Sequence, residues 1–434
     1  MLVEFTVGNF LSFKEQTTFS MVASSIKELQ EKNTFDAKNF SLLKSAVVYG
    51  PNASGKSNLF VSLDFMKKLV LESSKEKQIN EEIDVRYFKL DKKMEDEPSF
   101  FEIVFIIEDI RYRYGFEVNK EKIIEEWLFS AKKNAEKSLF YRVDNDIELD
   151  KTFTEGKGLN KKTRKNALFL SVVANFNGEI STKILSWFHK LKIVSGFSDK
   201  ISNLTKKFLG DPEYKKKIIK MLHIADIDIV DIIIDKFSLD EVEINGEEIP
   251  APILRALKNK EVEVVLTVRN DIDGEKQLFP ATQLESAGTI KLLSLSSQII
   301  YAIEKGSTLV IDELDAKFHP LITQFIIEMF NSTRNSKAQL IFNTHDSTLL
   351  SKEIFRRDQI WFAEKDNLGC SELYSLVEYK QKVRNDESYN KNYLRGKYGA
   401  IPYVGDINLL GELFYNGETE QSEEKTETRR NERL

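Results

Sequence analysis

Residues 50–57 read Gly50-Pro51-Asn52-Ala53-Ser54-Gly55-Lys56-Ser57, with the apolar run Ala46-Val47-Val48-Tyr49 before them and a helical pattern from Asn58 to Leu69 after them. A Gly-x-x-x-x-Gly-Lys-Ser spacing between a buried strand and a helix start commits this part of the chain to an α/β arrangement. The glycines let backbone N–H groups turn inward around phosphate oxygens. Lys56 can then reach β- and γ-phosphates, and the Ser57 hydroxyl can ligate Mg²⁺. The segment Gly50, Pro51, Asn52, Ala53, Ser54, Gly55, Lys56, Ser57 and Asn58 is therefore the candidate nucleotide-binding set, and the sequence predicts a chain that takes a nucleoside triphosphate.

At 434 residues, 41% apolar and 30% charged, the chain can bury a large core with a second lobe. Met1-Leu2-Val3-Glu4-Phe5-Thr6-Val7 reads as a strand rather than a leader, and no apolar run approaches membrane-spanning length. The expectation is a cytoplasmic protein without a membrane partner. Cys370 is the single cysteine, which excludes an internal disulfide and a cysteine-clustered zinc site. With four histidines besides, the expected metal is Mg²⁺ carried with the nucleotide.

The net charge of −6 conceals a strong polarity. Lys151–Lys220 holds 16 Lys/Arg against 5 Asp/Glu, whereas Asp226–Ile249 holds 9 acids and one lysine. The basic run, with Lys161-Lys162-Thr163-Arg164-Lys165 and Lys215-Lys216-Lys217, suits a phosphate backbone or an acidic partner; solvated helix faces are the alternative.

Two short strands (Leu2–Thr6 and Gln16–Val22) open the chain around Asn9-Phe10-Leu11-Ser12-Phe13. The runs Phe100–Ile107 and Tyr112–Val118 predict a hairpin turning at Glu108-Asp109-Ile110. From about 120 to 225 the pattern is mostly helical and basic. Strand character returns at Ile227–Ile234 and Glu261–Arg269, followed by a helix from Ala287, the strand Thr308–Ile311, a helix through Phe330 and the strand Ala338–Phe342. Lys56 and Asp312 are 256 positions apart, more than one α/β unit occupies, so the nucleotide core is expected to be split around an insertion. The expected parts are 1–120 and 260–416 for the core, 121–259 for a mostly helical lobe, and 417–434 for a disordered tail.

Thr308-Leu309-Val310-Ile311-Asp312-Glu313 is an apolar strand ending in two acids. At a strand end facing the phosphate loop, Asp312 can hold the metal while Glu313 takes the proton from attacking water. One helix and strand later, Phe342-Asn343-Thr344-His345-Asp346 places His345 where it can polarise that water. Glu313, His345 and Lys56 form the candidate catalytic set, and Ser57 and Asp312 the metal set. Leu284-Glu285-Ser286-Ala287-Gly288-Thr289 opens a helix, so Ser286 and Gly288 can offer a hydroxyl and amides to a phosphate, or serve as a plain helix cap.

Together these residues resemble the ABC-type ATPases of the structural-maintenance-of-chromosomes (SMC), recombination-repair and OLD group. Asn52 within the phosphate loop and the Asn9–Phe13 opening are features of that group. Asp312-Glu313-Leu314-Asp315 with His319-Pro320, Asp358-Gln359-Ile360-Trp361-Phe362-Ala363-Glu364-Lys365, and Leu394-Arg395-Gly396-Lys397-Tyr398-Gly399-Ala400-Ile401-Pro402 are similar to OLD-like AAA ATPases of bacterial abortive-infection systems, such as AbiL and PARIS. The resemblance implies a P-loop NTPase fold of ABC/SMC type with an antiparallel β layer and an inserted helical lobe. It also implies ATP and Mg²⁺ as cofactors, and a head-to-tail homodimer that sandwiches ATP between one phosphate loop and the partner's Ser286–Thr289, with Asp315 in the loop crossing that interface. Full-length OLD nucleases carry a TOPRIM domain after the ATPase. No Asp-x-Asp occurs in the 89 residues after His345, so a separate effector, a TOPRIM-type nuclease, is the expected partner.

The resulting expectation is an ATP-hydrolysing sensor of an anti-phage defence system, with nucleic acid or a phage protein as a further partner of the Lys151–Lys220 lobe. Two alternatives are a DNA-repair ATPase that clamps DNA with that lobe, and a nucleotide-locked scaffold with little turnover.

Overall fold

The computed structural model describes residues 1–37, 40–75, 81–133, 135–198, 200–238, 261–379 and 388–402. Residues 1–400 form one compact unit. The tail expected over 417–434 lies outside the described residues.

The chain opens with β1 (Leu2–Gly8) and β2 (Thr17–Ser20), joined through the Asn9–Phe13 corner, and a small hairpin of β3 (Thr34–Ala37) and β4 (Phe40–Leu43). The buried strand β5 (Ser45–Tyr49) follows and feeds the helix α1 (Lys56–Glu72). The predicted hairpin is present as β6 (Ser99–Ile107) and β7 (Ile110–Val118), with Glu108 and Asp109 at φ 48° and 65° in its tight turn.

Three further strands, β8 (Ile123–Ala131), β9 (Lys137–Val143) and β10 (Asp146–Leu149), occupy residues expected to be helical. The antiparallel layer therefore has seven strands in the order β10-β9-β8-β7-β6-β1-β2. Strand periodicity was hidden in β8 because Glu126 is fully buried where alternation calls for an apolar residue. Its carboxylate accepts the N–H groups of Phe169 and Leu170 at 2.6 and 3.0 Å and the Tyr114 hydroxyl at 3.0 Å, with Arg142 alongside at 3.5 Å. Those bonds satisfy a helix start from inside the sheet.

The helical insertion begins at that point, with α2 (Phe169–Asn175) and α3 (Glu179–Lys190) before the edge strand β11 (Lys192–Ser195), then α4 (Asn203–Leu209) and α5 (Pro212–Ile224). A separate sheet of β12 (Asp231–Ser238), β13 (Glu261–Asn270) and β14 (Lys276–Pro280) follows. The chain then returns through α6 (Ala287–Lys305), β15 (Thr308–Asp312), α7 (Pro320–Asn331), β16 (Gln339–Asn343), β17 (Ile360–Lys365) and β18 (Ser371–Ser375).

The second large sheet has the order β11-β15-β16-β5-β17-β18 and is parallel except for β18. Strands from both ends of the chain thus share one sheet, with β5 between β16 and β17. A single apolar cluster fills the space around α1. It joins Phe60, Leu63 and Met66 of the helix to Phe5, Phe101 and Phe116 of the antiparallel layer and to Val48, Val310 and Ile341 of the parallel sheet. Burial on both faces of α1 fixes the phosphate loop between the two sheets.

Candidate active site

In open α/β sheets, ligands sit beyond the carboxyl ends of the parallel strands. Here Tyr49, Asp312 and Asn343 end β5, β15 and β16 at one edge, because Asn343 is in register with Val48 and Ile311 with Phe342.

The phosphate loop leaves β5 and is held by close packing rather than by bulk. A Cβ on Gly50 would lie 2.3 Å from the Ala363 carbonyl oxygen, so only glycine passes over β17. Gly55 has φ +106°, and a Cβ there would lie 2.3 Å from Ser371 Oγ. That hydroxyl is part of a brace: it lies 2.7 Å from the Ser54 carbonyl oxygen and 2.7 Å from Ser12 Oγ, and Asn58 Nδ2 donates to Ser12 Oγ at 2.7 Å. The Asn9–Phe13 corner thereby supports the loop from the antiparallel layer. Neither Ser12 nor Ser371 was singled out as a site residue from the sequence.

Gly55 caps α1 without a side-chain acceptor, which leaves first-turn N–H groups for an anion. Lys56 is buried, and its Nζ donates to the Gly50 and Pro51 carbonyls at 2.8 and 2.9 Å. Burial holds the Lys56 ammonium below the usual lysine range, against the opposing pull of Glu313, Asp312 and Asp315. Asn52 and Ala53 are exposed at the loop's tip, Pro51 is half-buried, and Ser54 Oγ is buried with no partner among the described residues.

Ser57 Oγ donates to Asp312 Oδ1 at 2.9 Å, and Asn343 Nδ2 donates to the same oxygen at 2.5 Å. Asn343 Oδ1 also accepts the Glu313 N–H, so one amide orients both acids. Glu313 sits at φ 59°, a left-handed conformation that costs a non-glycine residue roughly 1–2 kcal/mol. Gly196, just beyond β11, donates its N–H to the Asp312 carbonyl at 2.6 Å, and a Cβ there would lie 1.9 Å from the Glu313 carbonyl oxygen. Asn343 and Gly196 were missed in sequence. The signal for Asn343 lay in the strand that ends just before His345; Gly196 carried none.

A cleft of about 520 Å³ collects Asn52 to Asn58, Glu313, His345 and Lys365. Lys365, at the end of β17, adds a cation that sequence reading did not place in the site. His345 is exposed, and its backbone N–H donates to Asp315 Oδ2 at 3.2 Å while Asp315 Oδ1 is buried with no partner among the described residues. Ser286 and Gly288 are not among the cleft-lining residues. They open α6, where Ser286 Oγ accepts the Thr289 N–H at 3.1 Å and caps the helix. The preceding Glu285 is clamped by Arg269 through bonds of 3.0 and 2.7 Å and by the Thr267 hydroxyl at 2.6 Å.

The donor set suits Mg²⁺: a hydroxyl and a carboxylate side by side, facing a cradle of amides, are what this hard cation takes together with phosphate oxygens. No cluster of three or more His, Cys, Asp or Glu able to hold a metal by itself occurs among the described residues. At least five of the sixteen cations of the basic segment have partners within the chain. Lys183, Lys206, Lys215 and Lys217 pair with Glu179, Glu263, Asp231 and Glu304, and Arg164 donates to the Ser73 and Ser74 carbonyls. No helix among the described residues is long and apolar enough to cross a membrane.

A family model described as "AAA domain, putative AbiEii toxin, Type IV TA system" matches residues 45–351. Among solved structures, the chain is similar to one titled "SMC head domain from Thermotoga maritima", with 13% identity over 86% of this chain and 98% of that one and a TM-score of 0.37. It is also similar to "Crystal structure of the SmcHead bound to the C-winged helix domain of ScpA", with 11% identity over 86% of this chain and 97% of that one and a TM-score of 0.39. No curated protein matches the chain.

Proposed function

The chain belongs to the AAA-domain family described as putative AbiEii toxin of type IV TA systems, and on that premise we propose that it binds and hydrolyses ATP as the switch of a bacterial anti-phage defence system. The observation that carries the proposal is the meeting of Ser57, Asp312, Asn343 and Glu313 beside the phosphate loop.

The amides of the loop and the first turn of α1 bind the phosphates, and Lys56 exchanges its two carbonyl partners for β- and γ-phosphate oxygens. Ser57 and Asp312 would hold Mg²⁺, which when bound neutralises phosphate charge. Glu313 accepts a proton from the water that attacks the γ-phosphorus. The bond from that phosphorus to the β–γ bridging oxygen breaks, and ADP leaves with its electron pair. His345 orients the water from the open side of the cleft.

In this reading two chains associate head to tail, with Ser286 and Gly288 of each at the γ-phosphate of the other. Ser286, which caps α6 outside the chain's own cleft, would then give its hydroxyl to the γ-phosphate of the other copy instead of to the Thr289 N–H. The cycle of closing and release then governs a separate effector, a TOPRIM-type nuclease standing in for the TOPRIM domain that full-length OLD nucleases carry after the ATPase.

Glu313→Gln tests the reading. It keeps the Asp312 site and removes the base, so ATP should still bind while phosphate release slows by ~10²–10⁴. Light scattering should show ATP-stabilised dimers of the variant. Wild-type turnover would end the catalytic assignment, a monomer in saturating ATP the sandwich, and a co-purifying partner without nuclease activity the effector.

A further inference from the structure

Lys291 is fully buried in the second turn of α6, five residues after Ser286. Its ammonium donates to three carbonyl oxygens of one short turn: Glu313 at 3.3 Å, Leu314 at 2.8 Å, and Ala316. The centroid of the Phe318 ring lies 4.3 Å from Nζ. The turn it holds is strained at both ends, with φ 59° at Glu313 and 65° at Lys317. A buried cation has to be matched by acceptors, and here the acceptors are the carbonyls of the segment that carries the proposed base. Strain persists only where surroundings over-determine it, and Lys291 joins Asn343 and Gly196 in doing so.

We propose that Lys291 is a positioning residue for hydrolysis: it ties α6, the helix that begins at Ser286, to the turn carrying Glu313, so that helix and turn move as one piece. A phosphate bound at the Ser286 end would thereby bear on the placement of Glu313 without touching it. The inference rests on Glu313 acting as the base.

The test compares wild type, Glu313→Gln, Lys291→Met, Lys291→Arg and the double variant Lys291→Met/Glu313→Gln in steady-state ATP hydrolysis. Methionine keeps the length of the side chain and removes the donors. The expected result for Lys291→Met is a fall in kcat on the order of 10–100-fold at unchanged KM, as for a misplaced catalytic group. Lys291→Arg should be intermediate, because a planar guanidinium keeps the charge but cannot direct donors at three converging carbonyls as an ammonium does. In the Glu313→Gln background Lys291→Met should add nothing, since both changes disable the same group. Wild-type kcat in Lys291→Met, or a full additional loss in the double variant, overturns the proposal. If Lys291→Met does not fold, wild-type kcat in Lys291→Arg overturns it. A Glu313→Gln variant as fast as wild type instead removes the reading on which the proposal stands.

Discussion

Ser57 Oγ lies 2.9 Å from Asp312 Oδ1 although 255 positions separate the two residues. The contact joins the first turn of α1 to the end of β15 and places a hydroxyl and a carboxylate where one cation can take both. Asp312→Asn should leave ATP affinity within a few-fold in the absence of Mg²⁺ and abolish the gain that Mg²⁺ brings to wild type. Isothermal titration with and without the metal checks this. An unaltered Mg²⁺ response in the variant would remove Asp312 from the metal site.

Lys56→Ala should remove ATP binding, because it deletes the ammonium that the Gly50 and Pro51 carbonyls hold inside the loop. Wild type should show an ATP-induced rise in melting temperature, as any ligand bound by the folded state alone produces, and the variant should show none. Equal shifts for both proteins would contradict the phosphate-loop assignment.

Gly196→Ala should be costly despite adding a single methyl group. Its Cβ would meet the Glu313 carbonyl oxygen at 1.9 Å, so the backbone of the turn carrying Glu313 has to yield. The expected result is a destabilisation of about 1–3 kcal/mol, as for overpacking, together with a lower kcat. Denaturant unfolding and ATP turnover measured side by side check both, and a variant of wild-type stability and rate would show that the turn is free to shift.

Glu285 sets a pH dependence. Burial pushes its carboxyl up, but the hydrogen bonds from Arg269 and Thr267 and the Arg269 charge outweigh that and leave it below the ordinary carboxylate value. A carboxylate with a lowered folded-state pKa adds stability above its unfolded value, about 4.3, and loses it as pH falls through the folded value. Glu285→Gln should lower stability near neutral pH by at most about 1.5–3 kcal/mol, the range for hydrogen bonds to a charged group, less what solvent screens at the partly exposed Arg269. Between pH 5 and 3 the melting temperature of wild type should fall more steeply than that of the variant. Parallel acid limbs would show that the Arg269 clamp contributes nothing to folding.

The phosphate loop and the Asp312-Glu313 strand end were legible in the sequence because each is a local code. A strand, two glycines at fixed spacing and a helix start specify their own geometry, and consecutive residues at a strand end need no partner to be recognised. The hairpin at Glu108-Asp109 was legible for the same reason. The strands over 123–149 were not, since the burial of Glu126 has its reason in Phe169 and Leu170, about forty positions away. Asn343, Gly196, Lys291 and Lys365 belong to the site only because parallel register aligns β16 with β5 and β15, packing brings the end of β11 and the buried side of α6 against the Glu313 turn, and β17 ends beside the loop. The sequence by itself determined the candidates for phosphate, metal and water: the Gly50–Ser57 loop, Asp312, Glu313 and His345. Tertiary structure alone decided what holds them in place, because close approach and carbonyl capping depend on backbones that meet only when the sheet is assembled.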